Sequence, residues 1–315
     1  MPHRILLSIA GHDRVATALR TQATARGVVE RFVAGETPAQ AVAAGSVLVA
    51  GRLGVTYNFL GEYQTDPERI ERTRNAFIAF TRLLGDSGLG GPQSELSLKL
   101  SALGQLHGSD GPARALDHAR RICAAATGAG VLVTLDMEDH TTTDSTLEIA
   151  RELRQDFPAT GVAVQAALFR SPADCADLRN TGARVRLVKG AYREPRSVAL
   201  HRRAEVDRAY VRCLRTLFGG TARPLVATHD PRLIRISAEL ARRHGRDATT
   251  FEHQMLFGVR SAEQRRLAAA GHAVRVYLPF GPDWYGYFTR RLAERPANTV
   301  FFLRALAKSG ASRHP

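Results

Sequence analysis

Short apolar runs alternate with longer amphipathic stretches along most of this chain. The apolar runs fall at residues 54–60, 96–102, 131–136, 161–168, 185–188, 224–228, 249–251 and 273–278. Between them lie stretches with helical periodicity at 67–84, 112–127, 143–156, 170–180, 197–218, 231–244 and 261–270. Runs this short, bounded by turn residues, read as buried strands, and the longer periodic stretches read as helices. Asp66-Pro67, Ser171-Pro172 and Asp230-Pro231 each set a capping side chain before a proline at the first helical position. Strands and helices in strict alternation imply a parallel sheet with crossover helices. Eight such units favour an α/β fold of the (β/α)8 barrel type over an open doubly wound sheet. Residues 1–45 read as an N-terminal helical arm with breaks at Gly27 and Gly35, and 46–315 as one barrel domain. The glycine-rich stretch 85–93 lacks the GxGxxG spacing between a strand and a helix, so it reads as a flexible connector.

Composition narrows the classes. A chain of 315 residues, 44% hydrophobic and 23% charged, suits a globular protein with a full core. No apolar run reaches the roughly 18 residues of a membrane span, and the patch at 5–10 is short for a signal peptide, so a cytoplasmic location is expected. The net charge is +14 and the pI about 10.7. Basic residues are spread through the chain without dense blocks or aromatic interleaving, so nucleic acid is not an expected partner. There are 41 arginines against three lysines, Lys99, Lys189 and Lys308, as a codon bias would produce. Against that background, a lysine inside an apolar run suggests a site that needs a compact ammonium. Cys123, Cys175 and Cys213 form no CxxC pair and the histidines no HExxH motif, so neither disulfides nor a metal are expected.

Barrels carry their chemistry at the C-terminal ends of the strands. Those ends are polar here: Glu62 after the first strand, Lys99 and Ser101 on the second, Asp136 followed by Glu138, Asp139 and His140 on the third. Gln165 lies on the fourth, Arg184 to Tyr192 cover the fifth, Thr228, His229 and Asp230 the sixth, Glu252, His253 and Gln254 the seventh, and Tyr277 the eighth. A Lys99–Asp136 pair could equally be an internal ion pair with a structural use only. Beyond Asp283, Tyr287, Arg290, Arg291 and Glu294 share one face if the segment is helical. Paired guanidinium groups suit a small carboxylate, although a solvated face with a surface ion pair has the same spacing. No catalytic triad or metal set accompanies these residues, which suggests that a cofactor carries the chemistry.

Leu60-Gly61-Glu62, LKLSAL from Leu98, LDMED from Leu135, VQAALFR from Val164, RLVKGAY from Arg186, ATHD from Ala227, FEHQMLFG from Phe251, YLPFG from Tyr277 and YFTRRLAERPAN from Tyr287 follow in order. Over residues 54–300 this series resembles the proline dehydrogenase family, in its single-function bacterial form. The resemblance implies a distorted (β/α)8 barrel that binds FAD, with the last helix over the barrel mouth. It implies that L-proline is oxidised to Δ1-pyrroline-5-carboxylate by hydride transfer from C5 to flavin N5. Arg290, Arg291 and Lys99 would hold the proline carboxylate, and Asp136 would pair with Lys99. Tyr277, Tyr287, Leu256 and Ala191 would surround the ring. Glu62 would be a gate closing on Arg290. Arg186 would lie by the flavin N5, and Gln165, Val188, Lys189, Gly190, Thr228, His229 and Glu294 would bind the FAD. A quinone acceptor, loose contact with the inner face of the cell membrane, and a separate pyrroline-5-carboxylate dehydrogenase complete the implied setting. Two other readings compete with this one: a barrel flavoenzyme acting on another cyclic amine, and a basic binding protein without catalysis.

Overall fold

A computed structural model describes residues 29–285 and residue 287. Its eight strands pair in sequence order, all parallel, and β8 closes on β1. The expected (β/α)8 barrel is therefore the observed one. The strands are β1 (Gly54–Phe59), β2 (Ser94–Leu98), β3 (Leu132–Leu135), β4 (Gly161–Gln165), β5 (Arg184–Val188), β6 (Arg223–Ala227), β7 (Glu252–Leu256) and β8 (Val274–Phe280). Helix α1 (Pro38–Ala50) precedes the barrel, and α2 (Pro67–Asp86), α3 (Gly111–Gly128), α4 (Thr143–Asp156), α5 (Ser171–Leu178), α6 (Arg203–Phe218), α7 (Pro231–Arg243) and α8 (Ser261–Ala269) connect the strands. None of the described helices is long and apolar enough to cross a membrane.

Strand parity explains the two faces of the barrel wall. Side chains alternate along a strand. On β1, β2 and β3, Val55, Tyr57, Leu96, Leu98, Val133 and Leu135 face outward into a core with Phe77, Phe80 and Leu84 of α2 and Ala119, Ile122 and Ala126 of α3. The alternate positions, Thr56, Asn58, Glu95, Ser97 and Asp136, turn inward and bond one another, shared arginines or, for Asn58, Lys99. The interior is thus polar, where bulky aliphatic layers are the usual filling. On β5 and β6, the outward residues Val185, Leu187 and Val226 pack against Tyr210, Leu214 and Leu217 of α6.

Capping chemistry works as read at two of the three sites. The carboxylate of Asp66 accepts from the Glu68 N–H, and that of Asp230 from the Arg232 N–H. Ser171 does not cap; its hydroxyl donates to the Gln165 carbonyl at 2.5 Å and ties the start of α5 to the end of β4. Helix α1, with a Thr37/Gln40 capping box, runs across residue 45 and lies against β1 and β8. The approach is close, since a Cβ on Gly45 would stand 2.0 Å from the Tyr57 hydroxyl.

Two strands sit differently from the sequence pattern. β2 begins at Ser94, two residues before the apolar run, and stops at Leu98, where Leu100–Leu103 turn into a short 3-10 helix. β7 is Glu252–Leu256, beyond the run at 249–251. Both shifts have one cause. The inward positions of these strands are Glu95, Glu252 and Gln254, which an ionic interior accepts and an apolar-run criterion rejects.

On the outward face of β7, His253 is 1% exposed, and neither ring nitrogen has a partner among the described residues. Its ring lies 5.3 Å from Phe251 and 5.4 Å from His272, edge to face, with Glu252, Glu263 and Arg266 as the charged groups around it. Burial, then the neighbouring His272, pushes its pKa down to about 4. A base with a depressed folded pKa stabilises the fold fully above its ordinary value of 6.5 and loses that contribution as pH falls toward 4. Thermal melts of His253→Phe should therefore lose the wild-type decline over pH 6.5–4, which is worth roughly 3 kcal/mol. Parallel melting curves for the two proteins across that range would contradict this.

Candidate active site

The mouth of the barrel gathers its charges around Asp136. This residue follows β3 directly, and its N–H donates to the Leu98 carbonyl, extending the ladder by one step. Oδ1 accepts from the Ser97 hydroxyl at 2.6 Å and from Arg186 Nη1 at 2.5 Å. Oδ2 accepts from the Tyr277 hydroxyl at 2.6 Å. Burial works against ionisation, but Arg186 and then Lys99 hold the carboxylate below its ordinary range. The Tyr277 phenol is pushed well up by burial and by the Asp136 charge, so it is a neutral donor at working pH. The Arg186 guanidinium also lies over the Tyr277 ring, 5.4 Å from its centroid.

Lys99 stands between two carboxylates. Its ammonium donates to Asn58 Oδ1 at 2.9 Å, with Asp136 at 3.7 Å and Glu62 at 3.8 Å. The pairs with Asp136 and Glu62 are thus electrostatic contacts longer than a hydrogen bond. Asn58 is 1% exposed, and its amide nitrogen has no partner among the described residues. A buried donor of this kind costs free energy unless something occupies the mouth. Glu138 is buried beside this group. It accepts from both the N–H and the hydroxyl of Ser101, and burial raises its pKa.

Beneath the mouth lies a second ionic layer. Arg186 is held on all three nitrogens: Nε donates to Gln254 Oε1 at 2.7 Å, Nη1 to Ser97 and Asp136, and Nη2 to Glu95. Glu95, 0% exposed, also accepts from Arg184 at 2.5 Å and from Thr56 at 2.9 Å, with Arg275 4.0 Å away. Burial alone would keep this acid protonated; Arg184, Arg186 and Arg275 outweigh it and hold Glu95 far below its ordinary value. Arg275 grips Glu252 through two nitrogens at 2.8 and 3.1 Å. Across the two layers Glu62, Glu95, Asp136 and Glu252 pair with Lys99, Arg184, Arg186 and Arg275, while Glu138 near Lys99 and Arg223 near Glu252 add one further acid and one further base.

A third group lines the ends of β4, β5 and β6. Gln165, buried, donates to the Glu138 carbonyl at 2.7 Å and stands beside Val188 in register. Gly190 has φ +118°, and a Cβ there would come within 3.3 Å of both Ala167 Cβ and Gln165 Oε1. Glycine suits this position because the φ is one that L side chains rarely adopt and the space for a Cβ is already tight. The ammonium of Lys189 is taken by Asp207 at 2.5 Å and Asp230 at 3.6 Å. The Thr228 hydroxyl accepts from the Asp230 N–H. His229 Nε2 accepts from the Leu256 N–H at 2.9 Å, so a neutral ring carries its proton on Nδ1.

The structure thus joins Glu62, Lys99, Asp136, Arg186 and Tyr277 in one connected group, and sets Gln165, Val188, Gly190, Thr228 and His229 on three adjacent strand ends. Tyr287 is buried with Leu60, Val259 and Trp284, with half-buried Leu256 against the same cluster. Ala191 is exposed on the rim. Arg290, Arg291 and Glu294, and with them the expected final helix, lie outside the described residues. Sequence reasoning missed Asn58, Glu95, Ser97 and Arg275. Glu95 and Arg275 could have been found as charged residues at inward parity on otherwise apolar strands. Among the described residues, no cluster of three metal-ligating side chains exists.

Comparison with known proteins agrees with this architecture. The sequence profile of the family described as proline dehydrogenase matches residues 43–304. A proline dehydrogenase of Deinococcus radiodurans is 38% identical over 307 residues, covering 97% of either chain. Proline dehydrogenase 1 of Bacillus subtilis is 36% identical over 278 residues, covering 88% of this chain and 90% of its own. Among solved structures, proline utilization A of Bdellovibrio bacteriovorus, inactivated by N-propargylglycine, superposes with a TM-score of 0.79 over 85% of this chain. It is 24% identical, and the match spans 32% of that longer protein, so this likeness speaks for the fold. With a matching profile over most of its length and relatives of similar size, the chain belongs to the proline dehydrogenase family.

Proposed function

We propose that this enzyme oxidises L-proline to Δ1-pyrroline-5-carboxylate, the first step of proline catabolism, with FAD as its cofactor. The observation that carries the reading is the joined group of Lys99, Asp136, Arg186 and Tyr277 at the barrel mouth, in a chain of this family. FAD, when bound, supplies at N5 the hydride acceptor that the proline C5–H bond requires.

The residues present fit such a group. With no Cβ at Gly190, the backbone beside Gln165 and Val188 could be approached closely by a ligand at the ends of β4 and β5. Thr228 and His229 extend the same rim on the neighbouring strand end. Arg186, fixed on every nitrogen, offers a stationary positive charge; Lys189 and Glu294 complete the set expected to hold the cofactor. Lys99, Arg184, Arg186 and Arg275 each already face a carboxylate. The cations left for a substrate carboxylate would be Arg290 and Arg291, with Lys99 reaching the same carboxylate. The orphan amide of Asn58, held by Lys99, adds a neutral donor beside it. Fixing the carboxylate at one end sets the ring against Tyr277, Tyr287, Leu256 and Ala191 and aligns C5 for transfer. The substrate amine must be neutral for its lone pair to assist, so the rate rises toward alkaline pH.

Electrons would pass on to a quinone. A cytoplasmic enzyme with a basic surface can meet an anionic membrane loosely, and a separate dehydrogenase would consume the pyrroline product. An anaerobic visible spectrum before and after L-proline tests the core of this reading. A flavin spectrum that bleaches with proline is expected. A bound flavin that stays oxidised would point to a different cyclic amine, and a protein that takes up no FAD when supplied with it would remove the cofactor.

A further inference from the structure

Glu95 occupies a place that the reaction just described does not explain. It lies on β2 at the layer beneath the mouth, fully buried, with no route to a substrate. Its carboxylate is nevertheless the shared acceptor for Arg184 and Arg186, two like charges at alternate positions of β5. Without it, the two guanidinium groups would face each other and Arg275 across a buried interior, with repulsion little screened by water. Arg186 spans the two layers, with Nη2 on Glu95 and Nη1 on Ser97 and Asp136. Asp136 in turn takes the Tyr277 hydroxyl and faces Lys99. An unbroken series therefore runs from Glu95 through Arg186 to Asp136, Tyr277 and Lys99 at the strand ends.

We propose that Glu95 is a positioning residue: it holds the Arg186 guanidinium in place and draws off part of its charge, thereby setting the field that Asp136, Tyr277 and Lys99 present to the reacting centre. This inference rests on the reading of the mouth as the proline site. Its effect belongs to the chemical step, because Glu95 touches neither Lys99 nor any group assigned to the carboxylate. Replacing the acid by an amide keeps the shape and removes the charge. Arg186 then leans its full charge on Asp136, and the interior carries an unbalanced cation.

Glu95→Gln should lower kcat for L-proline about tenfold or more while KM stays within threefold. Glu95→Asp, which restores the charge at the cost of reach, should recover most of that loss. The pH profile of kcat should also move in Glu95→Gln and return in Glu95→Asp. A second measurement needs no flavin. In cofactor-free protein, denaturant unfolding of Glu95→Gln, Asp136→Asn and the double variant should be non-additive, with a coupling of at least tenfold in the unfolding constant, because both acids act on one guanidinium. If Glu95→Gln is too unstable to assay, Glu95→Asp carries the kinetic arm: the residual loss from its shorter reach, smaller than tenfold, should fall on kcat at constant KM, and a change in KM alone would overturn the proposal. Unchanged kcat in folded Glu95→Gln, a rise in KM alone, or an additive cycle would each overturn the proposal. A wild-type protein whose flavin ignores proline, combined with a non-additive cycle, would instead count against the proline reading and leave the positioning role standing.

Discussion

Asp136→Ala is expected to lower kcat/KM for L-proline by about 10²–10³-fold. The carboxylate is the acceptor for Ser97, Arg186 and Tyr277 at once and a close neighbour of Lys99. Alanine leaves two cations facing each other and a buried phenol without its acceptor. Removing one partner of a buried ion pair costs about 3–5 kcal/mol, because the remaining charge is left uncompensated. Asp136→Asn keeps the volume and loses only the charge, so it should be the milder of the two. Steady-state kinetics on protein shown to be folded by circular dichroism gives the answer, and an alanine variant within threefold of wild type would remove Asp136 from the machinery. The same network sets acid stability. Asp136, Glu95 and Glu252 have folded pKa values held below their ordinary 3.8 and 4.5 by the arginines around them, against the effect of burial. Their contribution is fully present above those ordinary values and is lost as pH falls through the depressed ones.

Arg275→Met should destabilise the fold by about 3–5 kcal/mol while leaving every group at the mouth in place. Arg275 is 4% exposed and makes two bonds to Glu252. It also donates to the carbonyls of Val55, Gln93 and Pro92, at 3.3, 3.0 and 2.9 Å. Methionine fills similar volume but leaves Glu252 charged in a dry interior and takes a donor from each of three carbonyls, of which Gln93 keeps the Val55 N–H. Urea unfolding at pH 7 checks the size. The combination Arg275→Met with Glu252→Met should regain much of the loss, because a pair removed together leaves no orphan charge. A single variant as stable as wild type would mean that water reaches this layer and screens it.

The architecture was legible because outward parity is apolar on most strands: Val55, Leu96, Val133, Val162, Val185 and Val226 mark theirs whatever lies inside. The mouth residues were legible because Lys99 and Asp136 stand at strand ends, where a barrel displays its chemistry. The inner layer was not. A search for apolar runs stops short at Glu95 and Glu252 and passes over Arg275 inside the run at 273–278, and it cannot see which charge on another strand answers each one. The misplacement of β7 followed directly. Ser171 was misread for a related reason: its capping potential is local, but the Gln165 carbonyl that claims its hydroxyl comes from a turn the sequence does not display.

The clasp that Arg275 makes has a bearing on the order in which the chain acquires its shape. β1 is made early and β8 more than two hundred residues later, yet they are neighbours along six register positions. The guanidinium that ties the Val55 carbonyl to Glu252 arrives only with that last strand. Until then Glu95 and Glu252 lack one of their cations, and an incomplete barrel would hold an unbalanced negative charge in a closing interior. A ribosome-bound chain is therefore expected to stay open and hydrated at its centre, consolidating only when β8 inserts. Cutting the chain between β7 and β8 and supplying the two pieces together would turn this late closure into a bimolecular event whose rate could be followed directly.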